Sequence, residues 1–259
     1  MLNAYDRGTA YALWARDMLR LKKERSRWLG VVAQPLLFWA VIGGGIGRNF
    51  SVGGEPTSYL AFFYPGVLVM VILFTTIFST ISIIEDRQSG FLQGVMIGPG
   101  SRASVVAGKI AGVTTLVVMQ CALFILLAPA AGFAWASIHW LALVAAIVLG
   151  CVMLTGITFI MAWALPSSQA YHAIMSVVLI PLWVVSGAMF PAGESWIGRI
   201  MHLNPMTWMV NAVRFAVSGG STGTGTFDAG ATFAILAMLA AVSFFAAVFV
   251  AQKTPARRD

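Results

Sequence analysis

Long apolar segments alternate with shorter polar connections along most of this chain. Six apolar segments reach or approach the roughly 20 residues that a helix needs to cross the hydrocarbon core of a bilayer. We therefore predict an all-α integral membrane protein with six transmembrane helices. These segments run approximately over Leu29–Ile46, Tyr59–Ile84, Ile110–Pro129, Trp140–Leu165, Ala173–Met189 and Ala231–Ala251.

The first and fifth apolar segments are short, and each contains a proline, Pro35 or Pro181. We expect these prolines to kink their helices, with neighbouring helices satisfying the freed carbonyl groups. The glycine pairs Gly43-x-x-x-Gly47 and Gly108-x-x-x-Gly112 allow close helix approach, although such spacing is common in membrane helices.

A basic segment, residues 1–28, precedes the first apolar segment. On a helix, one of its stripes is apolar and aromatic and another is cationic. The apolar stripe holds Tyr11, Trp14, Met18, Leu21 and Trp28, and the cationic stripe holds Arg16, Arg20, Lys23 and Arg27. One interpretation is an interfacial helix in the headgroup region, with its cations facing anionic lipid. The alternative is a solvated helix that packs on a partner subunit.

Residues 85–109 form the longest polar interruption in the first half of the chain. The interruption exceeds the few residues that join antiparallel helices, so it can hold a helix of its own. We predict that the apolar face of this helix presses on another protein, with a solvated loop as the alternative. The apolar residues at helical spacing are Phe91, Leu92, Val95 and Met96. Ser101 should cap the helix that follows.

Glu85 opens this interruption, and its pattern allows two interpretations. At the start of a short helix, its carboxylate would be stabilised by exposed backbone N–H groups, by about 0.3–1 kcal/mol. Alternatively, it pairs with a basic residue of the N-terminal helix or of a partner protein.

Residues 190–230 are too long for a simple connection and too apolar for a free loop. Ser195 could cap a short helix, and Asn204-Pro205 is typical of a cap followed by proline at the first helical position. We predict a re-entrant pair of helices that dips into the outer leaflet, with the second helix ending near Val217. Arg214 would then be a functional cation near the membrane. The alternative is an interfacial hairpin whose Arg214 reaches the lipid phosphates.

Composition and charge support a membrane protein and orient it. Charged residues make up 10% and hydrophobic residues 59% of the 259 residues, against about 25% and 45–50% in soluble domains. Thirteen of the sixteen Lys and Arg residues lie in segment 1–28, loop 85–109 or the C-terminal tail, and the exceptions are Arg48, Arg199 and Arg214. Because cationic loops stay cytoplasmic, we expect both termini and loop 85–109 on the cytoplasmic side.

The chain shows no convincing catalytic, metal or nucleotide site in its sequence. A G-x-S-x-G match at residues 219–223 lies in a flexible Gly/Ser/Thr linker, and no lysine of a phosphate-binding loop follows a glycine-rich turn. The three histidines lie far apart, and Cys121 and Cys151 fall inside apolar segments. We expect no cofactor in this chain, and the charge distribution argues against a nucleic-acid partner.

Two groups of residues together resemble the type-2 ABC transporter permeases, above all their drug, nodulation-factor and polysaccharide exporters. The first group is Glu85-x-Arg87-x-x-Gly90, Pro99-x-Ser101-Arg102 and Gly108-Lys109. The second is the segment from Leu203 to Trp208, which contains Asn204-Pro205, followed by Asn211 and Arg214. With the six-span layout, the resemblance covers nearly the whole chain.

The resemblance implies a single permease domain over residues 1–259. Loop 85–109 would carry a coupling helix that docks on a cytoplasmic ATPase subunit, and ATP and Mg would bind to that subunit. The assembly would hold two ATPase subunits and two permeases, as a homodimer or as a heterodimer with a similar permease. The cargo would pass between the permeases.

The expected function is therefore the membrane subunit of an ATP-driven exporter in the inner membrane. A mostly apolar and aromatic lining suits an amphipathic drug, lipid or lipid-linked glycan, and polysaccharide export is the alternative within the family. A membrane-embedded enzyme acting on lipid is the alternative from another class. Its polar groups at the inner face would be Glu85, Asp86, Arg87, Arg102 and Lys109.

Overall fold

The structure is a computed structural model that describes residues 4–23, 33–45, 50–52, 55–191, 196–219 and 228–253. In these ranges the chain is helical apart from short turns and a two-stranded antiparallel hairpin, Phe50–Val52 with Glu55–Thr57. The helices are α1 Ala4–Lys23, α2 Ala33–Gly43, α3 Tyr59–Gln88, α4 Phe91–Ile97, α5 Arg102–Ile125, α6 Trp140–Ala164, α7 Ser168–Trp183, α8 Trp196–Leu203, α9 Pro205–Val217 and α10 Ala229–Lys253. The predicted all-α class is confirmed.

Among the described residues, five helices are long and apolar enough to cross a membrane: α3, α5, α6, α10, and α7 with its continuation to Ala188. They correspond to the second to sixth apolar segments of the sequence. The first predicted segment contains α2, which is too short to cross by itself in the described part of the chain. Its residues 29–32 and Ile46 lie outside the described residues.

Helix α3 lies at the centre of the bundle and packs against α5, α6, α7 and α9. Its apolar residues from Phe62 to Phe74 are buried on every side of the helix. A helix that is apolar all round can be enclosed in this way without leaving polar groups unpaired. Helix α10 packs mainly on α6 and leaves large apolar side chains such as Phe245 and Phe249 exposed.

Both proline-containing helices at the periphery end in irregular turns beside the start of α3. Helix α2 closes with a π-helical turn at Trp39–Gly43, and α7 continues as a π-helical turn at Val184–Ala188, where Gly187 has φ +82°. Aromatic side chains bind nearby carbonyl groups: Trp39 Nε1 donates to Leu60 at 3.2 Å, and Trp183 Nε1 donates to Gly66 at 2.9 Å. The predicted irregularity near Pro181 is therefore confirmed, and the two indole groups satisfy carbonyls of the neighbouring helix α3 inside the protein.

Segments that the sequence assigns to one side of the membrane meet at one end of the bundle, here called the loop end. Arg102 Nη1, at the start of α5, donates to the Ala251 carbonyl of α10 at 3.1 Å. The opposite end holds helices α8 and α9 and is here called the hairpin end. There the His139 amide donates to the Ala216 carbonyl of α9 at 2.9 Å. The shared location of these segments agrees with the predicted alternation of the helices.

Candidate functional site

The polar loop at the loop end folds into a helix between two sharp turns, as predicted. Helix α3 ends at Gln88, Gly90 turns the chain with φ +75°, and α4 then occupies Phe91–Ile97. A positive φ is readily available only to glycine, because a β-carbon would clash with the backbone. Ser101 caps α5, and its hydroxyl accepts from the Ser104 amide at 3.3 Å. The predicted Ser101 cap is confirmed.

Glu85 and Asp86 lie in the last turn of α3, at its C-terminal end. The interpretation that Glu85 starts a short helix is therefore wrong, because α3 continues for three more residues. Acidic residues are unfavourable at a helix C-terminus, where the backbone carbonyls carry partial negative charge. Two arginines of α1, Arg16 and Arg20, offset this repulsion. Arg20 lies 3.4 Å from Glu85 and 3.0 Å from Asp86. The other interpretation, pairing with the N-terminal helix, is confirmed.

Arg16 of α1 joins three helices at one point. Its guanidinium makes a two-pronged ion pair with Asp86 at the end of α3, and the Nη2–Oδ1 distance is 2.6 Å. The same group lies 3.6 Å from the centroid of the Phe91 ring, the first residue of α4. A planar guanidinium can bind a carboxylate through its edge and stack on an aromatic ring through its face.

A buried ion pair fixes α1 against α5. Lys109 Nζ lies 2.9 Å from Asp17 of α1 and also donates to the Ser82 hydroxyl of α3 at 2.7 Å. Both charged side chains are almost fully buried. Lys109 could be recognised from the sequence but Asp17 could not, because a lone acid among basic residues gives no pattern.

Glycines make this contact close. A β-carbon at Gly108 would lie 2.7 Å from the Ala10 carbonyl oxygen, and one at Gly112 would lie 2.6 Å from Asp17. Trp14 Nε1 donates to Thr115 at 3.0 Å, and the Asp6 carboxylate accepts from the Ser101 amide at 2.7 Å. The Gly108-x-x-x-Gly112 spacing thus serves helix approach, and its partner is the N-terminal helix.

For Arg16 and Arg20, these contacts correct the interpretation of residues 1–28 as a helix whose cations face lipid. Arg16 and Arg20 are paired with acids of the chain, and Trp14 is bonded to α5. Lys23 is exposed, and Arg27 and Trp28 lie outside the described residues. The alternative, packing on protein, describes α1 better, but the surface it packs on belongs to its own chain.

The apolar residues of α4 divide between the interior and the surface. Leu92 is 7% exposed and belongs to the core, whereas Phe91 is 39% and Ile97 is 85% exposed. Leu92 thus anchors α4 to its own chain, which corrects the prediction that it belongs to the face that contacts another protein. The outward apolar surface is formed by Phe91 and Ile97. Ile97, the last residue of α4, was not among the residues predicted from the sequence.

The remaining loop residues mainly hold neighbouring segments. Arg87 donates to the Trp163 carbonyl at 2.8 Å and also to the Leu165 carbonyl, so it holds the turn between α6 and α7. Arg102 binds α10, as described above. Pro99 is exposed between α4 and α5.

At the hairpin end, α9 binds the irregular end of α7. Asn204 caps α9 by accepting from the Met206 amide at 2.9 Å, with Pro205 at the first helical position, as predicted. The Asn204 amide group also donates to the Leu182 carbonyl at 2.6 Å. Ser195, the predicted cap of the first short helix, lies outside the described residues. Asn204 therefore caps α9 and at the same time binds α7.

Arg214 is buried in protein, with 9% of its surface exposed. Its Nη2 donates to the Gly187 carbonyl at 2.9 Å, and its guanidinium lies 4.6 Å from the centroid of the Phe62 ring. Burial lowers the pKa of Arg214, which lies outside the five long apolar helices, to about 10, so it stays charged at neutral pH. The interpretation that it extends to lipid phosphates is wrong in this structure.

The other predicted hairpin residues lie on the same helix with less direct contact to α7. Trp208 Nε1 donates to the His202 carbonyl at 3.2 Å, which ties α9 to the end of α8. Asn211 is partly buried. The structure thus brings Asn204 and Arg214 together on α7 and leaves Trp208 at the junction of α8 and α9.

A family model described as ABC-2 type transporter matches residues 9–217, which include loop 85–109 and helices α8 and α9. A protein of Cyanophora paradoxa named as a transport permease, ycf38, is 27% identical over 219 residues, covering 82% of this chain and 74% of its own length. Nodulation protein J of Neorhizobium galegae is 27% identical over 222 residues, 80% of each chain. The daunorubicin resistance ABC transporter permease protein DrrB1 of Streptomyces coeruleorubidus is 26% identical over 235 residues, 89% of this chain and 81% of its own length.

Proposed function

The chain belongs to the ABC-2 type transporter family, and we propose that it is the membrane-spanning permease subunit of an ATP-driven exporter. The observation that carries the proposal is the outward apolar surface of Phe91 and Ile97 on α4. Single exposed apolar side chains are common on protein surfaces, but on a short helix between two turns at the end of the bundle they suit contact with a partner protein. We propose that a cytoplasmic ABC ATPase subunit, which binds ATP and Mg, docks there.

The proposed architecture is one permease domain over residues 1–259 with six transmembrane helices. The first span would correspond to the first apolar segment of the sequence, which contains α2. The α8–α9 pair would be the re-entrant hairpin within the outer segment 190–230. Segment 1–28 and loop 85–109 would lie on the cytoplasmic side of an inner membrane, as the distribution of cations predicts.

We propose a dimer of permeases with two ATPase subunits. Apolar side chains along α5, α7 and α10 are exposed in the single chain, among them Val177, Val178 and Val242. Lipid or a second copy would cover these surfaces. A cargo that moves along such a surface would be amphipathic, such as a drug, a lipid or a lipid-linked glycan. The relatives are named for nodulation and for daunorubicin resistance at similar identity, so they do not select one cargo.

A lipid-modifying enzyme is the less well supported function. Its candidate polar groups at the loop end are all engaged in contacts that hold helices together. Asp86 and Lys109, for example, each bind a charged group of α1. A catalytic acid or base needs to reach a substrate proton, and these groups are already bonded to the chain itself. A polysaccharide exporter would also be an ATP-driven exporter, so this alternative changes only the proposed cargo.

Replacing Ile97 with aspartate should weaken binding of the ATPase subunit at least tenfold. A charge placed within an apolar contact must be desolvated, and an apolar anchor that is a hot spot contributes about 2 kcal/mol or more. The measurement is the affinity of the partner ATPase for the full-length permease in nanodiscs. Gln93→Ala on the same helix is the matched control, because it changes an exposed polar residue. Unchanged affinity of the Ile97→Asp variant would show that α4 does not dock the ATPase.

The orientation of the chain can be tested by cysteine labelling in intact cells. Cys121 and Cys151 are first replaced with alanine, and single cysteines are placed at the exposed positions Ser137 and Gln93. An impermeant thiol reagent added outside should label position 137 and should label position 93 only after permeabilisation. The reverse pattern would overturn the cytoplasmic location of loop 85–109.

A further inference from the structure

Helix α4 is a short element with glycine-containing connections on both sides. Gly90 precedes it with φ +75°, and Gly98, Pro99 and Gly100 follow it. Glycine gives a backbone many accessible conformations, so these connections cannot by themselves fix the angle of α4. A force that a partner protein exerts on α4 is transmitted to the bundle only if the position of α4 relative to the bundle is fixed.

Helix α1 is, in contrast, firmly attached to the bundle. Three contacts along its length fix α1 on α5: the Asp17–Lys109 pair, the Trp14–Thr115 hydrogen bond and the close approach at Gly108. Arg16 adjoins Asp17, and its backbone therefore has little freedom. Its side chain projects from this fixed helix onto both α3 and α4.

We propose that Arg16 is the positioning residue of the coupling helix, and that α1 acts through it to hold α4 at a fixed distance from the end of α3. The proposal deepens the function proposed above and rests on it, since it assigns to α1 a part in coupling. Asp86 fixes the edge of the guanidinium, and the face of the guanidinium holds the Phe91 ring. Movement of α4 would then be carried into α3, the central helix, and not absorbed by the glycine connections.

The chemistry of the contact distinguishes arginine from lysine. Arginine presents a flat, weakly hydrated group that can bind a carboxylate and stack on a ring at the same time. An ammonium group is a compact, strongly hydrated charge, so Arg16→Lys would keep the attraction to Asp86 and weaken the contact with Phe91. The two variants Arg16→Gln and Arg16→Lys therefore separate the charge from the stacking.

The test is a distance measurement between α1 and α4 by pulsed electron paramagnetic resonance. Spin labels are placed at the exposed positions Leu19 and Gln93 in the full-length chain in nanodiscs, with both native cysteines replaced by alanine. The parent chain should give one narrow distance distribution. Arg16→Gln should broaden it at least twofold, and Arg16→Lys should give an intermediate width. Lys23→Gln, at an exposed position on the same helix, is the control and should leave the width unchanged.

A distribution as narrow in Arg16→Gln as in the parent chain would overturn the proposal. If the distribution of Arg16→Lys were as narrow as that of the parent chain, stacking on the Phe91 ring would have no part in positioning α4. The charge of residue 16 would then be enough to position the helix. A circular dichroism spectrum and an elution profile identical to those of the parent chain establish that each variant is folded before its distance is measured.

A second measurement connects the position of α4 to coupling. In the complex with the ATPase subunit, ATP and Mg should change the distance between labels at Ser137 of the two permease copies. Arg16→Gln should reduce this change at least twofold while ATP hydrolysis continues. A full change in that variant would contradict the role of Arg16 in coupling. If no ATPase binds the parent chain, the proposed function fails, and the α1–α4 distance still decides whether Arg16 positions α4.

Discussion

Replacing Lys109 with methionine should destabilise the protein by about 3–5 kcal/mol, because it leaves the Asp17 carboxylate buried without a counter-charge. The pair is almost fully buried and joins α1 to α5, with a further hydrogen bond from Lys109 to Ser82 of α3. Solvent therefore screens it poorly, and the loss should exceed the 0–1 kcal/mol typical of exposed ion pairs. The measurement is the free energy of unfolding in mixed micelles titrated with SDS.

The matched control is the double variant Asp17→Asn with Lys109→Met, in which no isolated charge stays buried. Removing both charges of a buried pair is often close to neutral, whereas removing one is costly. We expect the double variant to recover at least half of the stability lost in the single variant. Equal losses in the two variants would show that packing of the lysine side chain, and not the charge of Asp17, accounts for the effect.

Replacing Arg214 with alanine should reduce export at least tenfold while leaving the affinity for the ATPase subunit unchanged. The guanidinium binds the Gly187 carbonyl in the irregular end of α7, and its loss leaves that carbonyl unpaired at a cost of about 1–3 kcal/mol. The end of α7 would then lose its attachment to α9. Because the ATPase would dock at the opposite end of the bundle, its binding should not change. Export can be followed in vesicles with a fluorescent amphipathic drug as the probe.

Arg214→Met provides the control for this prediction. Methionine fills much of the same volume without the cost of burying a charge, but it cannot donate to the Gly187 carbonyl. Loss of export in both variants would indicate that the hydrogen bond is essential. Normal export in the methionine variant would indicate that Arg214 only fills space between α9 and α7.

The two ends of the molecule show which local features could be predicted. The Ser101 and Asn204 caps depend on residues within three positions, so a short sequence window contains all the required information. The start of α4 is also a local feature, because Gly90, which has a positive φ, directly precedes it. The end of α3 was not predictable in this way. Its last polar turn, with Glu85 and Asp86, is helical because Arg16 and Arg20 offset the unfavourable charge there.

The partners of charged residues were the main source of wrong predictions. The basic stripe of α1 is compatible with lipid headgroups, with a partner protein or with acids of the same chain, and a helical pattern distinguishes none of them. Asp17 gave no signal in the sequence, although its contact with Lys109 fixes the whole of α1. Arg214 was recognised as unusual, but its burial against Gly187 depends on where α7 becomes irregular.

The sequence by itself determined that this is a helical membrane protein, which segments form its five long apolar helices, where two helices are capped, and to which family it is similar. Hydropathy and caps are properties of neighbouring residues, and the bilayer thickness sets the length of the apolar segments. Only the tertiary structure decided that α1 packs on α5, that Leu92 faces inward while Ile97 faces outward, and that Arg214 binds α7. These outcomes depend on contacts between residues far apart in the chain, where burial makes an unpaired charge costly and so selects its partner.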